Sequence, residues 1–325
     1  MADLSVTYLG LKLRNPLIAA SSGLTGTIEG VRKALDAGAG AVALKSLFEE
    51  QLRAELKPVD AELDLHPEAA SFLDGMGMNE GTDEYLRLVE AAKKDGRAPV
   101  MASVNCAGGL RWAEFARRIE VAGADALELN MGWLPVDPAE EGSAIEKRLV
   151  GVVEAVAAAV KLPLAVKLGT SFTNVGNMVK RVARAGARGV VLFNRYYRMD
   201  VDLDAMSISA GPVRGSPEAF HESLRWISLL EGRAGAEMCA SGGVYDGVTA
   251  LKLVAAGANA VELCSALYAK GYGVIGQVLS EMSGWMDSRN VKTLAELHGR
   301  LARRNSDRPE VYGRLHYVKA LTGQG

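Results

Sequence analysis

Cysteine is scarce: Cys106, Cys239 and Cys264 are the three in 325 residues, scattered and without a Cys-x-x-Cys pair. That excludes a disulfide framework and a cysteine-built zinc or iron–sulfur site, and points to a reducing, cytoplasmic setting. Histidine is as thin. His66, His221, His298 and His316 show no metal-ligand spacing, so no metal is expected and all four read as structural or surface residues. An excess of one charge sign is also missing, with 37 Lys+Arg against 39 Asp+Glu and a net charge of -2. Such a chain has no general attraction for nucleic acid or an anionic membrane. No run approaches the roughly eighteen uninterrupted apolar residues of a spanning helix, and the start Met1-Ala2-Asp3-Leu4-Ser5 lacks the basic and apolar blocks of a secretory signal. What is present, 49% hydrophobic and 23% charged residues, describes a globular protein whose partner is a small molecule.

Short runs rich in Val, Ile, Leu and Ala recur, each followed by a Gly/Ser/Asn cluster and a longer segment of helical periodicity, which is βα alternation. Eight strands are predicted: Pro16 to Ser21, Ala41 to Ser46, Pro99 to Val104, Ala126 to Met131, Pro163 to Leu168, Gly189 to Asn194, Glu237 to Gly242 and Ala260 to Ser265. Their nearly continuous apolar character suits parallel strands covered on both faces. Four joints repeat one device: Ala37-Gly38-Ala39, Ala122-Gly123-Ala124, Ala185-Gly186-Ala187 and Ala256-Gly257-Ala258 each precede a strand. Glycine there can end a helix in the left-handed conformation. Eight strands so joined favour an α/β protein with one (β/α)8 TIM barrel as a single domain over 1–325; the alternative is a doubly wound sheet with an appended domain.

Three segments fall outside the repeat. Residues 3 to 15 read as a hairpin ahead of the first strand, and the tail from Glu310 to Gly325 as a helical extension. Insertions at 47–80 and 195–216 follow strands, so both are expected at the C-terminal rim, where barrel enzymes keep their sites.

Polar residues at strand ends form a shortlist of site candidates: Ser21, Lys45 with Ser46, Ser103 with Asn105, Asn130, Lys167, Asn194, Ser241-Gly242-Gly243 and Cys264-Ser265. The loops Ser241-Gly242-Gly243 and Cys264-Ser265-Ala266, after strands seven and eight, offer unobstructed amides and a hydroxyl suited to a phosphate; a tight turn is the plainer explanation. Lysines closing buried strands are costly unless they face a polar site or a paired charge, so Lys45 and Lys167 could stabilise an anionic ring or form a Schiff base. Asn130 and Asn194 bring amides that donate and accept at once, and Asn also simply terminates strands.

Taken in order, Ala20-Ser21, Lys45-Ser46, Met76-Gly77, Glu128-Leu129-Asn130, Val166-Lys167-Leu168, Asn194, Ser241-Gly242-Gly243 and Cys264-Ser265-Ala266-Leu267 resemble the class 1 dihydroorotate dehydrogenases from Asn15-Pro16 to about Leu267. The resemblance implies an FMN-dependent (β/α)8 barrel. It implies that Ala20, Ser21, Lys45, Ser46, Asn130, Lys167, Asn194, Gly242, Gly243, Cys264 and Ser265 surround the flavin, with Lys167 beside its N1 edge. The substrate half departs from the family. Trp133 occupies the position of the Ser or Cys base, and an indole cannot accept a proton at neutral pH. Pro135 replaces an Asn, Asp74 replaces the Asn expected two residues before Met76, and Arg195 replaces a Ser or Thr.

The resemblance is therefore to the dihydroorotate dehydrogenase-like branch that keeps the flavin site and lacks the base. FMN binding is expected, with little or no dihydroorotate oxidation, which counts against a role in pyrimidine metabolism. Asp74, Met76, Gly77, Trp133, Arg195 and Tyr196 would line the altered substrate pocket, and Trp133, Tyr196, Tyr197 and Arg195 could make it flat, aromatic and cationic. Three functions remain open: an FMN oxidoreductase with another substrate, a non-catalytic flavin protein bound to a redox partner, and a Schiff-base aldolase acting through Lys167 on a phosphosugar. A homodimer is carried over from the resemblance alone.

Overall fold

In the computed structural model the described residues are 2–49, 51, 81–106, 112–132, 135–195, 198–211, 214–313, 317–318 and 321–322. Their strands are β1 (Val6–Tyr8), β2 (Leu11–Leu13), β3 (Leu17–Ala19), β4 (Ala41–Ala43), β5 (Leu47–Phe48), β6 (Val100–Cys106), β7 (Ala126–Met131), β8 (Leu164–Leu168), β9 (Gly189–Leu192), β10 (Met199–Asp202), β11 (Ser207–Ala210), β12 (Glu237–Ser241) and β13 (Ala260–Leu263). The helices are α1 (Ile28–Asp36), α2 (Thr82–Asp95), α3 (Trp112–Val121), α4 (Gly142–Ala159), α5 (Val175–Arg184), α6 (Phe220–Leu230), α7 (Gly247–Ala256), α8 (Ser265–Lys270), α9 (Val274–Ser288) and α10 (Leu294–Leu297).

Parallel pairing runs β4-β3-β13-β12-β9-β8-β7-β6 and closes through β4 with β6. The result is a closed eight-stranded (β/α)8 TIM barrel, each strand lying within or overlapping its predicted run. β5 is a short addition that pairs with the upper end of β6, Leu47 opposite Val104 and Phe48 opposite Asn105. At the four repeated joints, Gly38, Gly123, Gly186 and Gly257 all have positive φ. The amide after each reaches back to a carbonyl five residues earlier, as in Ala258 to Leu253 at 2.9 Å, which satisfies a helix-end acceptor and drops the chain into the next strand.

Period two along each strand separates two cores. Outward residues such as Leu127, Leu129, Val166 and Val190 pack under the helices. Inward ones at the lower end, Ile18, Ala41, Ala43, Met101, Ala126, Ala165, Val191, Cys239 and Ala260, form a separate cluster with Tyr8, Leu9 and Leu13 of the antiparallel β1–β2 hairpin. The alanines are small because the hairpin fills the space: Tyr8 is 1% exposed. Its tip is tied on by Glu237, whose Oε2 accepts from the Leu9 amide.

At the opposite, C-terminal end, the 195–216 insertion contains the antiparallel β10–β11 hairpin. Of the 47–80 insertion, residues 50 and 52–80 lie outside the described residues. The tail after β13 is largely helical, α8, α9 and α10 being followed by helical turns Arg303–Asn305 and Pro309–Tyr312.

Candidate functional site

One step above the alanine layer the barrel interior turns polar. Ser103 of β6, Glu128 of β7, Lys167 of β8 and Glu262 of β13 are inward residues of their strands, and all are buried. Barrel interiors are usually filled by aliphatic side chains; here charged groups take the place. The Lys167 ammonium donates to Glu262 Oε2 at 2.6 Å and lies 3.8 Å from Glu128 Oε1. Ser103 Oγ donates to Glu128 Oε1 at 3.0 Å, and the chain of hydroxyls continues through Ser46 Oγ at 2.8 Å to Ser21 Oγ at a further 3.0 Å. Tyr85 of α2 fixes Ser103 from outside, its phenol donating to the Ser103 carbonyl and accepting from the Ser103 amide.

These contacts set the protonation states. Burial, then the charge of Glu262, push the Glu128 carboxyl up to about 8, with Lys167 opposing. Burial would raise Glu262 as well, but Lys167 and hydrogen bonds involving Glu128, Lys167 and Ser241 leave it below its ordinary value. For Lys167 burial acts downward, and the two carboxylates overcome it, so its affinity for the proton is above normal. A Schiff-base lysine needs a neutral amine. Lys167 is instead held as a charged ammonium, which opposes the aldolase alternative.

Above this layer lies the mouth. Asn194 Nδ2 donates to Asn130 Oδ1 at 2.8 Å, so the amides closing β7 and following β9 form a pair. Asn105 packs against Gly132, where a Cβ would stand 2.7 Å from Asn105 Oδ1. Lys45 is half-buried, with its stem over Gly26, whose added Cβ would meet Lys45 Cδ at 3.0 Å. Ala20 is buried beside Ser21 at the end of β3.

The two loops expected to hold phosphate do different things. Gly242 has φ +98, and an added Cβ would meet nothing within 4 Å. Gly243, at φ +72, is pressed against backbone: a Cβ would lie 2.3 Å from the Phe220 amide nitrogen and 2.7 Å from the Pro217 carbonyl. Its glycine is explained by the start of α6. Cys264 caps α8 without a side-chain hydrogen bond. Ser265 Oγ accepts from the Gly215 amide at 2.9 Å, and Tyr245 donates to the Gly215 carbonyl at 2.6 Å, drawing the end of the 195–216 insertion over this loop. Arg195 comes to the same place, 3.6 Å from where a Gly215 Cβ would be, its guanidinium affinity lowered by burial and by Arg198.

The structure thus gathers Ser21, Ser46, Asn130, Lys167 and Asn194 at one barrel end, with Gly242, Cys264 and Ser265 in the loops above it. Asp74, Met76, Gly77, Trp133 and Tyr196 lie outside the described residues. Glu262 is the residue that sequence reasoning missed, and Glu128 entered only as part of a motif. The available signal was a glutamate at an inward, period-two position of an otherwise apolar strand. Among the described residues, no three His, Cys, Asp or Glu side chains could hold a metal ion, and no helix is long and apolar enough to cross a membrane.

A family model described as dihydroorotate dehydrogenase matches residues 3–286. The chain is 26% identical over 309 residues to the dihydroorotate dehydrogenase B (NAD(+)) catalytic subunit of Thermoplasma acidophilum, covering 92% of this chain and 99% of that protein. It is 30% identical over 312 residues to the protein of the same description from Methanosarcina mazei, covering 91% and 94%. The corresponding Pyrococcus abyssi protein is 28% identical over 308 residues, covering 91% and 98%.

Proposed function

The chain belongs to the dihydroorotate dehydrogenase family, an FMN-dependent oxidoreductase family, and from that premise we propose that it binds FMN at the barrel mouth and oxidises a substrate other than dihydroorotate. The residues present fit the cofactor on two observations. Gly242 stands at a φ that a side chain would strain, with open space where a Cβ would be, so a phosphate can approach its backbone. Lys167 brings a fixed positive charge to the top of the polar layer.

In this reading Gly242, Gly243, Cys264 and Ser265 hold the phosphate end, and Ala20, Ser21, Lys45, Ser46, Asn130, Lys167 and Asn194 surround the ring. Bound there, FMN supplies acceptance of a hydride. The chain's own residues do the rest. Lys167, kept charged by Glu262, favours negative charge on the ring. Asn130 and Asn194 hold one another's amides and so orient the donors they present. Arg195, close over the Ser265 loop, is placed to attract an anionic substrate group.

The single observation carrying the altered substrate is Trp133, which stands where the resemblance assigns a proton acceptor and can accept none. Mixing the FMN-loaded protein anaerobically with dithionite and, separately, with dihydroorotate tests it. Dithionite should bleach the flavin and dihydroorotate should leave it oxidised; rapid bleaching by dihydroorotate would contradict the reading.

A protein partner accompanies this function. The similar proteins from T. acidophilum and M. mazei are described as catalytic subunits of NAD(+)-linked enzymes, which supports a redox partner that receives the electrons. The β10–β11 hairpin supports a homodimer: Met199, Val201, Met206 and Ile208 are apolar and more than half exposed on a two-stranded projection.

A further inference from the structure

We propose that Glu128 and Glu262 hold one proton between them beneath Lys167, and that the hydroxyls of Ser103, Ser46 and Ser21 carry that proton to and from the barrel rim. The cluster is then a proton store that keeps its proton to higher pH when negative charge arrives at the mouth.

The charge count comes first. Two carboxyl groups, 0% and 1% exposed, share a single cation. If both were ionised, a net negative charge would sit unpaired in the buried interior, which is strongly disfavoured. The orphaned atoms make the same point. Glu128 Oε2 and Glu262 Oε1 are buried with no hydrogen-bond partner. Ionised carboxylates only accept, so these two groups can satisfy one another only with a proton between them. Lys167 decides where it rests. The ammonium is 2.6 Å from Glu262 and 3.8 Å from Glu128, so Glu262 keeps the charge and Glu128 the proton.

Among the described residues, no other group nearby competes for this role. Tyr8 from the hairpin, Cys239 of β12 and Cys264 above β13 face the pair, and burial raises all three, leaving them neutral. Ser241, opposite Glu262 in the strand register, does not titrate in this range. Glu237 is engaged at the hairpin by the Leu9 amide and by Arg188.

The path outward is continuous. Each oxygen from Glu128 Oε1 through Ser103 and Ser46 to Ser21 lies within 3.0 Å of the next, and Ser21 is partly exposed. For inward transfer, a proton binds Ser21 Oγ while Ser21 passes its own to Ser46, Ser46 to Ser103, and Ser103 to Glu128 Oε1. One O–H bond forms for each that breaks, and every serine ends as a neutral hydroxyl.

The link to function rests on the flavin reading. Reduction places negative charge above Lys167, and a nearby negative charge raises the proton affinity of a carboxyl group. Glu128, which burial and Glu262 already raise to about 8, would therefore hold its proton to higher pH in the reduced protein than in the oxidised one. Above that pH, reduction draws one proton in.

The test is the flavin midpoint potential as a function of pH in the FMN-loaded protein. Above about pH 8 the slope should steepen by one proton per electron pair. Glu128→Gln should abolish the steepening, and so should Glu262→Gln, which leaves Glu128 as the sole, ionised partner of Lys167. Ser46→Ala should keep the steepening but slow proton uptake after rapid reduction, followed with a pH indicator. A slope without steepening, or steepening retained in Glu128→Gln, overturns the proposal. A protein that takes up no FMN would refute the flavin reading instead. Infrared spectroscopy of glutamate-labelled protein then decides the store by itself: a protonated carboxyl band at neutral pH, lost in both glutamine variants, supports it, and absence of that band in the wild-type chain overturns it.

Discussion

Lys167 neutralises the buried carboxylate of Glu262, so its removal leaves that charge unpaired. Lys167→Ala should lower stability by roughly 3–5 kcal/mol, the usual cost of leaving a buried charge uncompensated. Urea unfolding checks it, and Lys167→Ala/Glu262→Gln should recover most of the loss, because the unpaired charge goes with its partner. Glu128 adds a pH dependence. Its carboxyl is raised from an ordinary 4.5 to about 8 in the folded chain. A raised value means the stability contribution is complete below the unfolded value and is lost as pH climbs to the folded one. Between about pH 4.5 and 8 the wild-type melting temperature should therefore fall, and Glu128→Gln should flatten that fall. At this scale the sequence was half legible. Lys167, Asn130 and Asn194 stood out as polar residues ending apolar strands. Glu262 did not, because a glutamate inside a strand reads as solvent-facing until the barrel closes and turns it inward.

The hairpin β1–β2 acts as a plug. Tyr8 and Leu9 enter the lower end of the barrel against a layer of alanines, and Gly189 is open to them: an added Cβ would lie 2.6 Å from Leu9 Cδ2 and 3.1 Å from the Tyr8 hydroxyl. Tyr8→Ala should cost about 3–5 kcal/mol, the range for emptying a large aromatic site. Tyr8→Phe should be nearly neutral or stabilising, since the Tyr8 hydroxyl is buried without a partner. Thermal and urea unfolding of the two variants separate these effects. The hairpin itself was legible from Leu4, Val6, Tyr8 and Leu9 ahead of Gly10, as were the eight strands and four glycine joints, because all rest on local chemistry. That the hairpin fills the barrel was not, since alanines in a strand say nothing of what packs against them. The same limit applies to Gly243, where the absence of a side chain also answers to packing, because the residue lies against the start of α6.

Across the whole molecule the two ends of the barrel are specialised, an apolar plug below and a graded polar interior rising to an asparagine-lined mouth. The exposed strip of β10–β11 bears on assembly. Ile208→Glu with Val201→Glu should shift a dimer to a monomer in sedimentation velocity without releasing flavin; an unchanged sedimentation coefficient from a dimeric protein would place the interface elsewhere. The central claim is that this mouth holds FMN. Its most direct test is the visible spectrum of the protein as purified and after incubation with excess FMN, with the flavin released on denaturation counted per chain. The expected result is a yellow protein carrying about one FMN per chain, as a single barrel mouth allows. A colourless chain that takes up no flavin would contradict it.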